Sequence, residues 1–569
     1  MTAVRGDTVV ILAIDSNIAF ITRKGVTEVS LMTAPAKIVS GYTMVPLRLI
    51  SEAFGAKVAW DAGARLVSVA TIPAKEELVI ALDRYTPGKK PPEGFGVATC
   101  TQIFEPLLFL NKKLEIQPGL VTSWERLDSL RWRFKLRKGV KFHNGKEFDA
   151  ESAKFAFTQH LRGAGSIAQR VSAVVDYDSF AIIDKYTLEI KTLKPFPLLP
   201  HLMTHTHIAA VEPEAFKKGE IVGTGPFKFK EEVKDQYVVV ERNDEYWGSK
   251  PYFKRIVFKI IPDANTRAMA LQRGEVDVAL YPPYPLVKEL KKEFNVVVAR
   301  RGHTPHIIFN LNRPELSDKR LRMALSMAID KKKITETVHE NLAQPAKTLI
   351  PPELIFSAAN EMQGFSYDSA KAKELLQEAG YQDTDNNGYV DKDGKDLELK
   401  LVYTHEFEPS YEGMALAIAD YYRAIGIKIN LVRLSVADFS KEVLDKGNFD
   451  LTIYTGGIFW GAPSSTLSDQ FYSKSGIIDK LRFIDPKYDE LLEAGMELES
   501  KKDFSGAAEK YKELQKYVFE EKVVQCPLVH LNHIVVSKKN VKNLSPFPFY
   551  WLHYNGDPES ELVKVSWED

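Results

Sequence analysis

Between residues 319 and 334, apolar side chains recur at Leu321, Ala324, Leu325, Ala328 and Ile329, the spacing that lines one face of a helix. The same period predicts helices over residues 370–379 and 414–425, each closed by a glycine, Gly380 and Gly426. Asp149 stands where it caps a helix that starts near Ala150 and runs through Phe155, Phe157 and His160. Residues 78–82 read as a buried strand, and 130–136 and the Phe142 region as strands flanking turns, with Asn144-Gly145 a strong turn signal. The first 70 or so residues have a different texture. Strands are predicted over 9–14, 26–31, 57–60 and 66–69. A short helix is predicted from Pro46 to Gly55, with Leu47, Ile50 and Phe54 on one face. Residues 72–76 are a polar, Pro-containing linker, so 1–71 is expected to be a small α+β domain ahead of a large α/β chain.

A length of 569 residues implies about three or four folding units. Lys+Arg and Asp+Glu are both 76, and a net charge of zero argues against a nucleic-acid binder. The longest apolar run, 9–14 between Asp7 and Asp15, is far short of a membrane span. The N-terminus has no apolar signal segment, which is expected either of a cytosolic protein or of a processed form with a replacement Met. Two cysteines, Cys100 and Cys526, exclude a disulfide scaffold and a four-thiolate zinc site, leaving one long-range bridge or two buried thiols. HExxH, GxSxG and GxxxxGK[ST] do not occur, so no enzyme motif is present. The string from Asp383 to Asp391 matches the first nine positions of a calcium-binding loop, but Gly394 stands where the bidentate Glu belongs, so a turn is expected.

Two resemblances sharpen this picture. The string VPLRLISEAFGAKVAWD, within residues 5–71, resembles the small N-terminal domain of copper amine oxidases, which implies a binding or spacing module and not oxidase chemistry. Downstream, Ile103-Phe-Glu-Pro-Leu-Leu, the run from Trp132 to Asp149 and Gly223-Thr-Gly-Pro-Phe227 resemble the family 5 extracellular solute-binding proteins. Arg242-Asn-Asp-Glu-Tyr-Trp-Gly248, Ile261-Pro-Asp-Ala-Asn-Thr-Arg267, Gly274-Glu-Val-Asp277 and the run from Leu321 to Asp330 continue the likeness in the family's order, across residues 77–569. The resemblance implies a two-lobed, periplasmic-binding-protein-like fold of the type II, large peptide- and nickel-binder class. Lobe one is expected at 77–259 plus 528–569 and lobe two at 260–527, with crossings near 258–264 and 523–531. It also implies a monomeric, non-catalytic, extracytoplasmic subunit of an ABC importer, with a membrane permease as partner and no cofactor. A ligand gripped by both lobes favours the closed state by its differential affinity.

The resemblance also bears on the ligand. Peptide binders of the family present an Asp to the ligand's α-ammonium, whereas the stretch from Gly457 to Thr466 here has no carboxylate. Its Trp460-Gly-Ala-Pro463 looks like the nickel-binding branch, so a nickel ion or metal chelate is the leading expectation and an oligopeptide the alternative. A metal-dependent hydrolase or a surface scaffold are the rivals from other classes. The nickel branch's His falls at Tyr454, and its Arg falls within Leu202-Met-Thr-His205-Thr206-His207. In their place stand His201, His205 and His207 with Met203. On a strand, His205 and His207 would share a face and offer two imidazoles to a metal. By matching position, Cys100 and Gln102 belong to the first lobe's inner wall, with His205, Thr206 and His207. Phe439, Tyr454, Phe459 and Trp460 belong to the second lobe's wall. Arg162 and Arg170 read as solvated helix residues, or else as charges for an anionic ligand.

Overall fold

The computed structural model describes strands within residues 2–71, and then residues 76–83, 101–111, 115–161, 168, 171–457, 463–473, 483–544 and 561–567. Two compact units result: residues 1–78 with Phe253–Arg255, and the remainder. The first contains an antiparallel meander of Thr2–Arg5, Thr8–Leu12, Ile18–Arg23 and Val26–Leu31, with hairpins Lys37–Val39/Tyr42–Met44 and Ala56–Asp61/Leu66–Thr71. The helix expected over 46–54 lies outside the described residues.

The large unit is built on two mixed sheets, each the floor of a lobe. The first has seven strands in the order Phe227–Val233, Tyr237–Arg242, Arg255–Ile260, Glu77–Leu82, Val278–Leu280, Asn532–Ser537 and Asn295–Arg300. The second has five, in the order Lys428–Arg433, Glu398–Tyr403, Leu451–Gly457, His303–Phe309 and Gln525–Pro527. An antiparallel sheet of Val121–Arg126, Arg131–Leu136, Thr187–Lys191 and Phe180–Asp184 extends the first lobe around a core of Trp132, Phe134, Phe148 and Phe157. Val278–Leu280 and Asn295–Arg300 lie in the first sheet and His303–Phe309 in the second, so the chain passes from one sheet to the other between Arg300 and His303. The chain comes back between Pro527 and Asn532, where the Arg301 N–H bonds the Leu531 carbonyl at 3.0 Å.

Local chemistry explains most element ends. Asp149 accepts the Ser152 N–H at 3.0 Å and starts Ala150–Thr158. The stripe of residues 319–334 is divided between two helices, Lys319–Met327 and Lys331–Thr337. The division has a cause: the Asp330 carboxylate takes the Lys333 N–H at 2.8 Å and opens a new helix. In the Asp-rich string, Asp383 and Asp385 accept the N–H groups of Asn387 and Gly388, and Gly388 has φ +89°. The segment is a turn leading into the Asp391–Lys392/Lys395–Asp396 hairpin. Cys526 is a buried, free thiol, and Cys100 lies outside the described residues.

Buried Arg322 holds the return path. Its guanidinium donates to the carbonyls of Leu316, Ser317, Lys522 and Val523 at 2.7 to 2.9 Å. Val523, a β-branched residue, sits at φ +53° as the chain leaves a helix for Gln525–Pro527. Arg322→Ala strips two buried and two part-buried carbonyls of their donor and is expected to cost about 3–5 kcal/mol in a denaturant titration. A loss under about 1 kcal/mol would show that water replaces the side chain.

Candidate ligand-binding site

The first-lobe wall forms where three of the family-like strings meet. Gly223 and Gly225 let two backbones touch: a Cβ on either would stand 2.1 Å from the carbonyl oxygen of Ile103 or Gln102, respectively. In that contact the Gly225 N–H donates to Ile103 O at 3.0 Å and the Phe227 N–H to Gln102 O at 3.4 Å. Gln102 is fully buried, with φ +54°. Glu105, also fully buried, accepts the Tyr246 hydroxyl at 2.9 Å and the Trp247 indole N–H at 3.0 Å, joining the IFEPL string to the NDEYW string. Glu105 and Pro106 pair with Ala210 and Ala209, and the Leu107 and Leu108 amides both donate to Met203 O at 3.1 Å. The histidine-bearing segment therefore runs alongside this string.

That segment is not a strand. Leu199–Leu202 is a helical turn with Pro200 in its first turn, and residues 203–207 continue as turns. His205 and His207 nonetheless meet, with ring centroids 5.1 Å apart and planes at 69°. The His207 backbone N–H donates to His205 Nδ1 at 3.1 Å, which puts that ring's proton on Nε2. A metal at His205 Nε2 would need the proton moved to Nδ1, against the amide N–H, so ligation costs this hydrogen bond, about 1 kcal/mol. Burial and then the nearby His160 hold the His207 imidazole down at about 4, so it is neutral at physiological pH. His160 Nε2 donates to the His207 carbonyl at 2.9 Å. His201 points elsewhere, with its Nε2 3.3 Å from Glu499 of the second lobe. Thr206 is buried beside the pair. Among the described residues no three His, Cys, Asp or Glu side chains gather as a metal site.

On the second lobe, Phe439 and Tyr454 stack at 6.1 Å with planes 5° apart, and Phe407 meets both edge-on at 5.4 and 6.1 Å. Phe439 is fully buried, so Tyr454 and Phe407, both half-buried, are the faces a ligand can reach. Strand pairing sets His306 opposite Tyr454. Phe407 was not apparent from sequence, and neither was the neighbouring Glu408, which accepts from Arg301 of the crossing segment at 2.6 Å. Their only signal is the position of the loop just past the end of Glu398–Tyr403. Phe459, Trp460, Arg162 and Arg170 lie outside the described residues. A cavity of about 630 Å³ beside the Lys392–Asp396 hairpin, lined by Arg313, Lys392, Asp396 and Asp450 among others, includes none of the expected site residues.

Two sheet-floored lobes joined by a pair of adjacent crossing segments define a two-lobed binding protein of the type II class. NikA from Brucella suis, solved with Fe(III)-EDTA, has this fold: TM-score 0.74 at 24% identity, over 86% of this chain and all of that one. Residues 115–478 match the bacterial extracellular solute-binding proteins, family 5 (middle region), and the chain belongs to that family. Residues 1–69 match the copper amine oxidase N-terminal domain. Heme-binding protein A of Haemophilus influenzae is 30% identical over 497 residues, 81% of this chain and 87% of that protein. Oligopeptide-binding protein AppA of Bacillus subtilis is 27% identical over 452 residues, 75% and 81% of the two chains. Family members are periplasmic or extracellular, and this chain is a substrate-binding subunit of an ABC importer, not an enzyme. No helix among the described residues is long and apolar enough to cross a membrane.

Proposed function

We propose that this subunit captures a metal held in an organic chelate, in preference to a bare nickel ion, between a first lobe of residues 77–300 and 532–569 and a second of 303–527. The observation that carries this reading is the hydrogen bond from the His207 amide to His205 Nδ1. It sets a cost on ligation through His205, and no third ligating side chain stands beside the pair among the described residues, so the chelator supplies most of the donors. The stacked Phe439–Tyr454 pair, edged by Phe407, suits the flat or apolar body of such a chelate. A heme-binding relative at 30% identity is in keeping with it. The protein works as an extracytoplasmic monomer that hands its cargo to a membrane permease.

The test is calorimetry with Ni(II) alone, Ni(II)–histidine, Fe(III)-EDTA, heme and a short-peptide mixture. At least one chelate is expected to bind more tightly than free Ni(II). Tyr454→Ala should weaken that binding roughly 10-fold, the value of one aromatic contact plus its buried area. His205→Ala with His207→Ala should weaken it less. Binding of peptides alone would replace this reading with the oligopeptide one, and unchanged affinity in Tyr454→Ala would remove the aromatic wall from the site.

A further inference from the structure

Away from the crossing segments the two lobes touch again, through a contact in which Arg126, Glu497 and Glu499 each have a second partner. Arg126 ends the strand Val121–Arg126 on the first lobe. Its Nη1 donates to Glu497 at 2.8 Å and to the Ser500 hydroxyl at 3.0 Å, both in the last turn of Pro486–Ser500 on the second lobe. Its other nitrogens donate to the Asp128 and Ser129 carbonyls of its own hairpin turn at 3.1 and 3.4 Å, which aim the guanidinium across the gap. Nearby, His201 stands against Glu499, and Lys502 lies 5.4 Å from the Trp124 ring centroid. Leu198 joins a second-lobe core of Leu349, Ile350, Leu467 and Tyr511, while its neighbour Leu199 belongs to the first-lobe core.

We infer that Arg126 and the carboxyl end of Pro486–Ser500 form a latch that favours the closed arrangement of the lobes. The latch is made to release. When the lobes part, Glu497 keeps Lys501 one turn on, at 3.3 Å, and Arg126 keeps its two turn carbonyls. No charge is stranded in a dry site, which is what makes breaking a fully buried pair so costly. Glu499 likewise keeps the Ser464 and Tyr511 hydroxyls of its own lobe, at 3.0 and 2.7 Å. A cavity of about 440 Å³, lined from both sides by Trp124, Trp132, Pro200, His201, Lys502 and Phe504, leaves the contact incompletely packed and easy to part. Arg126 is 18% exposed and Glu497 42%, so the pair is screened by salt and its weight in the closure equilibrium is modest.

This inference is independent of the cargo and is tested on the ligand-free, full-length protein by single-molecule FRET with one dye on each lobe. Wild type is expected to show a closed population that falls as salt rises from 20 to 500 mM (about 20 to 4 Å of screening length). Arg126→Ala and Glu497→Gln should each lower the closed-to-open ratio about 3–10-fold, with Arg126→Lys in between. The double variant should fall no further than Arg126→Ala alone, because that change already removes the partner of Glu497. Thermal unfolding serves as the check that each variant folds. A wild-type ratio in either single variant, or fully additive losses in the double, would overturn the latch.

Discussion

Lowering the pH from 6.5 to 4.5 is expected to remove about 6 kcal/mol of stability. Among the described residues six histidines, His143, His160, His201, His207, His339 and His530, are buried in a form that resists protonation, and the three held lowest dominate the effect. Burial, with Arg300 and Lys331 nearby, holds His530 down at about 3. Burial is also the main cause at His143 and His207, each held at about 4. The unfolded chain titrates near 6.5, so below that value it binds protons that the folded chain refuses, and stability falls as pH falls. Three such protons set a slope of about 4 kcal/mol per pH unit. His143 and His207 keep some surface to solvent while His530 is 1% exposed, so solvent screening trims the slope to about 3. Asp128 and Glu361, held at about 2 by backbone and lysine or arginine partners, act in the same direction at still lower pH. Urea titrations at pH 7.5, 6 and 5 give the slope directly. His530→Asn, which keeps a donor for Thr304 but cannot titrate, should reduce it by about a third. A transition midpoint that does not move between pH 7.5 and 5 would mean that these histidines take up protons as readily in the folded protein as in the unfolded chain.

The sequence patterns predicted some features well and others not at all, and the difference follows sequence distance. Asp149 before Ala150, Gly380 and Gly426 after their helices, and the Asp383–Asp391 turn are written in residues a few positions apart, where capping and turn chemistry act. His205-Thr206-His207 was ambiguous for the opposite reason. A polar alternation of three residues has strand period, but Pro200 five residues earlier starts a helix, and the Met203 carbonyl is taken by Leu107 and Leu108, nearly a hundred residues upstream. The position of the outgoing crossing depends on strand pairing between Asn295–Arg300 and Asn532–Ser537, which has no local signature. Arg301 and Glu408, and Arg126 and Glu497, are pairs of the same kind: ordinary surface-type residues in sequence that become a hinge contact and a latch only when the chain is folded. The division of the 319–334 stripe is the one miss that was legible, since Asp330 directly after the apolar pair Ala328-Ile329 is a cap signal.

Gly225→Ala is expected to be, with Gly223→Ala, among the most damaging single methyls in the first lobe, costing at least about 4 kcal/mol and disturbing the Gln102 wall. Gly225 does not have a positive φ, so the requirement is for space and not for backbone freedom. An added Cβ would lie 2.1 Å from Gln102 O and 2.8 Å from Ile103 O, and both are backbone atoms that cannot turn aside. The strands must therefore separate. Doing so breaks the Gly225-to-Ile103 and Phe227-to-Gln102 hydrogen bonds, and also those that His143 Nε2 and Asn243 Nδ2 donate to Gly225 O at 3.0 and 3.1 Å. Several buried donors and acceptors are then left unpaired, at about 1–3 kcal/mol each before any repacking. Gly139→Ala is the matched control: its φ is +76° and nothing lies within 4 Å of its Cβ, so only the left-handed backbone penalty of about 1–2 kcal/mol applies. Denaturant midpoints of the two variants, measured side by side, separate close approach from conformational strain. If Gly225→Ala costs no more than Gly139→Ala, the contact between the two strings is loose, and Gln102 is not held by it.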